Sequence, residues 1–346
     1  MESWDVIIAG AGLVGVCTAL ELRRRGASVL VLERGEPGQE ASSAAAGMLA
    51  ATDPETPVAL RAMAVEAART YPEFVEYLQR ISGVEVDFRR QGTIVVGEEA
   101  APLGCRGLSA EELLRLEPAL QAQGYPAFFV EEDSVDPVPL MRAAVRAAEL
   151  SGVEIRSGVA VQQMRWSGSD VEVETGRGLF KAKAAVNCLG AWSGAPVRPR
   201  KGQMLYVQPS RMGLLQHVVR APGAYIVPRS SGKILIGTTV EDVGFDKSVN
   251  QETIRAMHVA AARYVPELKS ASVVDSWAGL RPGSPDDLPL IGATDTRGVF
   301  LASGLFRNGI LLAPITGRIM ADLVMGRPAE IDISAFSPAR FAAAKA

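Results

Sequence analysis

Between Trp4 and Glu33 the spacing of apolar residues changes twice. The continuous run V-I-I-A reads as a buried strand, the next dozen residues carry apolar side chains at helical spacing, and V-L-V-L reads as a second strand ending on an acid. The turn between the first strand and the helix is G-A-G-L-V-G. Each glycine has a steric reason: Gly10 makes the tight turn, Gly12 lets backbone approach a pyrophosphate, and Gly15 lets the helix pack closely on the strand. A helix beginning there directs unpaired N–H groups and the positive end of its dipole at the phosphates. Glu33, roughly 20 residues after Gly15, stands where a carboxylate accepts hydrogen bonds from an adenosine ribose and disfavours a 2′-phosphate. The unit predicts a bound dinucleotide and leaves NAD and FAD open.

Further along, G-Q-E-A-S-S-A-A-A-G-M-L suits either a backbone laid along a ligand or an alanine-rich helix start. The pattern then predicts a helix over 57–81, alternating strands over 84–96, and a short capped helix over 109–117. Asp136 and Pro137 open another helix that runs to 151 and stops at Gly152. Segments 159–166, 170–175 and 179–182, joined by glycine turns, form a meander, and it leads into the buried strand of A-A-V-N-C-L-G-A-W-S. Strands follow at 205–207, 225–228 and 234–237, with a helix over 252–264. The last block is a strand, the glycine loop S-G-L-F-R-N-G, and a helix with Pro314 expected in its first turn. A Rossmann unit with a meander in its crossover resembles the glutathione-reductase-like FAD fold. The expected class is α/β: an FAD-binding Rossmann domain (1–83, 137–199, 277–346) interleaved with an antiparallel-sheet substrate domain (84–136, 200–276).

Length and charge narrow the chemistry. The 346 residues suit about two domains, and 36 basic against 39 acidic side chains leave no electrostatic footprint for nucleic acid or anionic membrane. The partner is expected to be a small molecule. M-E-S-W-D lacks a basic region, and no apolar run reaches the roughly 18 residues of a membrane span, so a cytoplasmic chain is expected. Three cysteines, Cys17, Cys105 and Cys188, suit reduced thiols. His217 and His258 have no ligand or triad partners at useful spacing. The acidic cluster Glu131, Glu132, Asp133 and Asp136 lacks a calcium loop's alternation. No metal is expected. The basic run from Arg198 to Lys201 contains Pro199 and reads as a solvated loop.

Five further segments, S-S-A-A-A-G-M-L-A, N-C-L-G-A-W-S, A-Y-I-V-P-R, W-A-G-L-R-P-G-S-P-D-D-L-P-L-I-G and F-R-N-G-I-L-L-A-P, with K-G-Q-M-L, make nearly the whole chain resemble the D-amino-acid oxidase and sarcosine oxidase superfamily, within it the glycine oxidases of the ThiO type. The resemblance implies that Arg281 pairs with a substrate carboxylate, that Tyr225 hydrogen-bonds it, and that Arg307 and Met48 lie nearby. From the residues alone, Arg281 could clamp loop carbonyls, Tyr225 could be a core tyrosine, Arg307 could cap backbone and Met48 could be packing. Besides Gly10, Gly12, Gly15 and Glu33, implied FAD contacts are Leu13, Val14, Arg34, Ser42, Ser43, Ala46, Gly47, Met48, Val161, Gly190, Trp192, Arg281, Arg307, Asn308, Gly309, Ile310 and Leu311.

The implied reaction is FAD-dependent oxidation of glycine, sarcosine or a small D-amino acid by hydride loss from Cα, with no obligatory protein base, hydrolysis of the imino acid, and peroxide from dioxygen. Supply of glycine imine to thiamine thiazole synthesis is also implied. No cysteine follows Cys188, so the FAD is expected to be noncovalent. Leu305 departs from the family's G-H-F-R-N-G and Val240 from a pocket methionine, which bears on substrate range. A dehydrogenase with a different electron acceptor and a noncatalytic nucleotide sensor are the competing readings, and a homo-oligomer is compatible with the sequence.

Overall fold

The computed structural model describes residues 3–97 and 104–345. Among the described residues six α-helices are labelled in chain order: α1 (Leu13–Arg24), α2 (Val58–Ser82), α3 (Ala110–Leu116), α4 (Pro137–Leu150), α5 (Gln251–Tyr264) and α6 (Gly309–Val324). Two large sheets organise them. In the first, Ser3–Ala9 lies between Val29–Leu32 and Gly178–Asn187 with all three parallel, the arrangement a βαβ unit imposes. Strict alternation sorts its side chains. Val6, Ile8, Val29 and Val31 meet the helices α1, α2, α4 and α6, whereas Ile7, Leu30 and Leu32 meet the meander on the other face.

The meander is present, but its third strand and the following buried strand are one element. Gly178–Asn187 pairs antiparallel with Val171–Thr175 at its start and parallel with Ser3–Ala9 further on. No turn residue interrupts A-K-A-A-V-N, so nothing breaks the strand where the pattern changes from alternating to continuous apolar. Pro314 also differs from expectation, standing in the second turn of α6. A proline there cannot donate to the carbonyl of Ile310. The buried Tyr71 hydroxyl of α2 donates to that oxygen instead, at 3.2 Å, and satisfies it.

The second sheet runs in the order Ser272–Gly283, Arg198–Gln208, Ile234–Gly237, Ala224–Pro228, Val218–Ala221, Thr93–Val96, Ala127–Val130, Arg106–Leu108. Ser272–Gly283 pairs along its whole length with Arg198–Gln208, across the expected boundary at 277. The basic run Arg198 to Lys201 is therefore the start of a strand and not a solvated loop; Lys201 is buried between Glu241 and Asp246. Alternation again decides which residues face where. Leu205, Val207, Ile226, Ile234 and Ile236 pack under α5 and beside α3, while Met204, Val227 and Leu235 point the opposite way, with Tyr225, Met48 and Trp277. That second face looks into a cavity shared with the first sheet.

Among the described residues no helix is long and apolar enough to cross a membrane, and no group of three His, Cys, Asp or Glu side chains is placed to hold a metal.

Candidate active site

The cavity measures about 810 Å³, and the glycine turn forms one end of it. Gly10 has a φ of +99°, and a Cβ there would stand 2.6 Å from the Cys188 carbonyl oxygen. At Gly15 a Cβ would be 2.0 Å from the Gly10 carbonyl oxygen, so this glycine acts through close packing and does not itself line the cavity. The backbone N–H of Leu13, in the first turn of α1, donates to Ser42 Oγ at 3.0 Å. Glu33 accepts from the N–H groups of Ala11 and Gly35, both at 2.9 Å, which fixes its carboxylate at the strand end beside the turn. Each oxygen keeps a lone pair for a ribose hydroxyl.

Helix α6 begins at the same cavity, which Asn308, Gly309 and Ile310 line. Neither α1 nor α6 has an acid in its first turn or a side-chain cap from its N-cap residue. Two positive helix ends thus face one cavity without internal neutralisation, an environment suited to a pyrophosphate and an electron-rich ring. The alanine-rich run forms no helix: Ser42, Ala46, Gly47 and Met48 lay turns and a two-residue strand along the wall. Leu13, Val14, Arg34, Gly190 and Trp192 line it too, with the Arg34 guanidinium 3.8 Å over the Trp192 ring.

Three expected cofactor contacts besides Gly15 lie off the cavity. Leu311 is buried in the helical core, Val161 packs on the meander, and Ser43 opens onto a separate cleft beside α4. Leu311 and Ser43 each stand one position from a residue that does line the cavity, Ile310 and Ser42, because a helix or turn presents only some of its side chains to one side; Val161 belongs to a strand with no residue on the cavity.

One rung of the second sheet builds the opposite wall. Trp277, Met204, Gly237, Tyr225 and Arg220 are directly paired from strand to strand, so their side chains share a face. Arg281 is four residues beyond Trp277 on the same face of its strand. Its guanidinium crosses the Cα of Gly202, where a Cβ would stand 2.2 to 2.5 Å from three of its atoms. A bridge between Gly283 and Leu305, and a 2.9 Å hydrogen bond from the Phe306 N–H to the Pro282 carbonyl, join the G-L-R-P-G and F-R-N-G segments.

Besides Arg34, which pairs with Glu40 at 2.7 Å, three arginines reach this cavity with different charge balance. Arg220 pairs with Asp53 at 2.9 Å and with buried Glu132 at 2.6 Å. Arg307 pairs with Glu55, and both are largely exposed. Arg281 donates to the Thr239 carbonyl at 3.1 Å and to Thr238 Oγ1 at 2.6 Å, both neutral, and no described carboxylate pairs with it. Loss of water around it lowers its pKa to about 10, which still leaves it cationic at neutral pH. A desolvated cation without a counter-charge is costly. Such a site is matched to an incoming anion. Tyr225 lines the cavity beside it with no described hydrogen-bond partner, and burial raises its phenol well above the ordinary value, so it is a neutral donor.

Leu305 and Val240 both line the cavity, Leu305 buried and Val240 exposed. Sequence reasoning missed Arg220, Gly202, Thr238 and Thr239. A glycine inside the strand pattern of K-G-Q-M-L was a signal of close approach. The charge in H-V-V-R-A was a signal of a partnered arginine, but its acids lie 88 and 167 residues away.

The chain matches the family model described as FAD dependent oxidoreductase over residues 5–323. It is 34% identical to the glycine oxidase of Geobacillus kaustophilus, over 97% of both chains. It is also 34% identical to the bifunctional protein ThiO/ThiG of Trichormus variabilis over 97% of its own length, and spans 55% of that relative. The crystal structure of the Geobacillus kaustophilus glycine oxidase superposes with a TM-score of 0.93 at 32% identity, covering 98% of this chain and 99% of the other. With the glycine turn, the two helix ends and the sheet wall in one cavity, these likenesses establish that the chain belongs to the FAD-dependent oxidoreductase family typified by D-amino-acid oxidase.

Proposed function

We propose that the protein oxidises a small amino acid, glycine or sarcosine before small D-amino acids, to its imino acid, with dioxygen as the final electron acceptor. The observation that carries this reading is Arg281, a desolvated cation with only neutral partners on the wall facing the nucleotide turn. Its planar fork matches a carboxylate in two parallel hydrogen bonds, which orients the ligand as well as supplying charge. Tyr225 adds a third donor. FAD, when bound, would supply the redox chemistry: a two-electron acceptor for oxidation of the Cα–H bond that dioxygen can reoxidise, with peroxide as the product.

The chain's own work is then placement and electrostatics. Arg281 and Tyr225 fix the carboxylate, Met48, Met204 and Val240 bound the space beside it, and the positive end of α6 favours negative charge at the reacting face. Asp53, Glu55 and Glu132 are engaged with Arg220 and Arg307, so these three are not poised as bases. The substrate amine loses its proton to water before oxidation, and the imino acid hydrolyses after release. Supply of glycine imine to thiazole synthesis for thiamine is the pathway we expect.

Anaerobic titration of the holoprotein with a panel of amino acids tests the reading: glycine and sarcosine should bleach the blue absorption band, and bleaching by none of the panel would end it. Acid precipitation should release all the flavin as FAD, since no cysteine follows Cys188. Under air, one peroxide per imino acid is expected; a requirement for another acceptor would make it a dehydrogenase.

A further inference from the structure

Behind the cavity wall lies a polar network that the reaction does not use directly. Residues 238–241 leave the end of Ile234–Gly237 as a short strap, with Val240 toward the cavity. The Thr239 hydroxyl is fixed in both directions: it accepts from the Gln203 N–H at 2.9 Å and donates to Glu241 Oε1 at 2.5 Å. Glu241 Oε1 also accepts from Gln203 Nε2 at 2.8 Å, and Glu241 Oε2 is 3.8 Å from Lys201 Nζ. Lys201 is 4% exposed at its side chain and exchanges two 2.9 Å backbone hydrogen bonds with Glu241. Gln203 Oε1 accepts from the N–H of Asn250, whose side chain caps α5. The strap is thereby tied to a strand and to a helix.

Its free end is what Arg281 touches. Both hydrogen bonds of the guanidinium go to this strap, one to the Thr239 carbonyl and one to the Thr238 hydroxyl. A guanidinium whose only fixed partners are one carbonyl and one hydroxyl takes its direction from them, and a fork displaced by a fraction of an ångström loses one of its two parallel bonds to a carboxylate. The missing side chain of Gly202 makes the room that the guanidinium occupies, and adds no polar partner to direct it. We propose that Glu241 is a positioning residue for substrate binding, acting through Thr239 to aim Arg281, with Lys201 and Gln203 holding Glu241 in place. This rests on the reading of Arg281 as the carboxylate anchor.

The test uses the holoenzyme and separates substrate affinity from chemistry and from FAD binding. Rapid anaerobic mixing gives the glycine dissociation constant and the limiting rate of bleaching; titration of stripped protein gives FAD affinity. Glu241→Ala should raise the glycine constant about tenfold, with the limiting rate and FAD affinity within about twofold of the parent. Glu241→Gln, which keeps an acceptor for Thr239 and loses the attraction to Lys201, should fall between. Thr239→Val should weaken glycine similarly, and Thr239→Ser should recover most of the loss. Asp242→Asn, just past the strap and paired with exposed Arg198, is the control for loop charge. Parent-like glycine binding in both Glu241→Ala and Thr239→Val, with Arg281→Ala impaired, would overturn the positioning role. Parallel loss of FAD and glycine would make Glu241 a general structural residue and overturn it too. Parent-like binding in Arg281→Ala would instead overturn the anchor. Should Glu241→Ala fail to fold, the nearly isosteric Thr239→Val decides.

Discussion

The two ends of the cavity recognise charge by different physics. At the glycine turn, recognition rests on backbone: the N–H groups at the start of α1, a turn that only glycine fits, and a carboxylate held by main-chain donors. At the sheet wall it rests on one side chain, Arg281, whose charge is left uncompensated while Arg220 and Arg307 each have acids. The first end tolerates no added volume. The second tolerates no change of charge. Substitutions should therefore separate cleanly into those that lose FAD and those that lose substrate.

The largest effect is expected at the turn. Gly10→Val needs a side chain at positive φ and places its Cβ against the Cys188 carbonyl, backbone that cannot yield. The variant should purify without bound FAD, and retention of stoichiometric FAD would break the contrast at its first end. Arg281→Ala comes next and should weaken amino-acid binding far more than FAD binding. Within a closed site, loss of a bidentate charge-assisted pair should weaken glycine by roughly 2–5 kcal/mol. Arg281→Lys should recover part, because a point charge cannot reproduce the fork. Amines lacking a carboxylate serve as the control, since they should be poor substrates of parent and variant alike.

Tyr225→Phe sharpens the same division. A single donor to a charged ligand is worth roughly 1.5–3 kcal/mol, so glycine affinity should fall while FAD stays. The ratio of bleaching rate to dissociation constant should rise with pH in the parent as the substrate amine loses its proton. Burial raises the Tyr225 phenol, so it stays protonated through that range and contributes no titration of its own. The variant should keep the profile. A loss of several orders of magnitude in the limiting rate would make the tyrosine a base and end the hydride reading.

The contrast also explains what could be read from the chain alone. The turn was legible because its parts, Gly10 to Glu33, are local, and each glycine has a fixed job set by spacing. Helix starts were legible where a cap announces them, as in the Ser109 and Glu112 capping box and the Asp136 cap before Pro137. The wall was not. Trp277, Met204, Tyr225 and Arg220 meet only through strand register, and register is a tertiary fact. Resemblance to a family supplied Arg281 and Tyr225, but not the paired state of Arg220 or the strap at Thr239. Buried Lys201 was misread for the same reason: its counter-charges lie 40 and 45 residues further on, so the local run looked like a solvated loop.

The smallest effect is expected at Arg307, and its sign is the sharpest test of the charge argument. Its partner Glu55 is exposed, and exposed ion pairs are worth roughly 0–1 kcal/mol. With its charge already balanced, Arg307 has little attraction left for a substrate carboxylate, so Arg307→Ala should weaken glycine by no more than about fivefold. Glu55→Gln should act in the opposite direction, because it leaves Arg307 as a second uncompensated cation at the cavity and tightens anionic ligands. That gain should shrink as salt rises, since an exposed charge is screened over a Debye length of about 8 Å at physiological ionic strength. Dissociation constants for glycine in both variants at low and high salt decide the matter. If Arg307→Ala costs as much as Arg281→Ala, the anchor is shared between the two arginines, and a counter-charge in the free protein does not disqualify a cation from substrate binding.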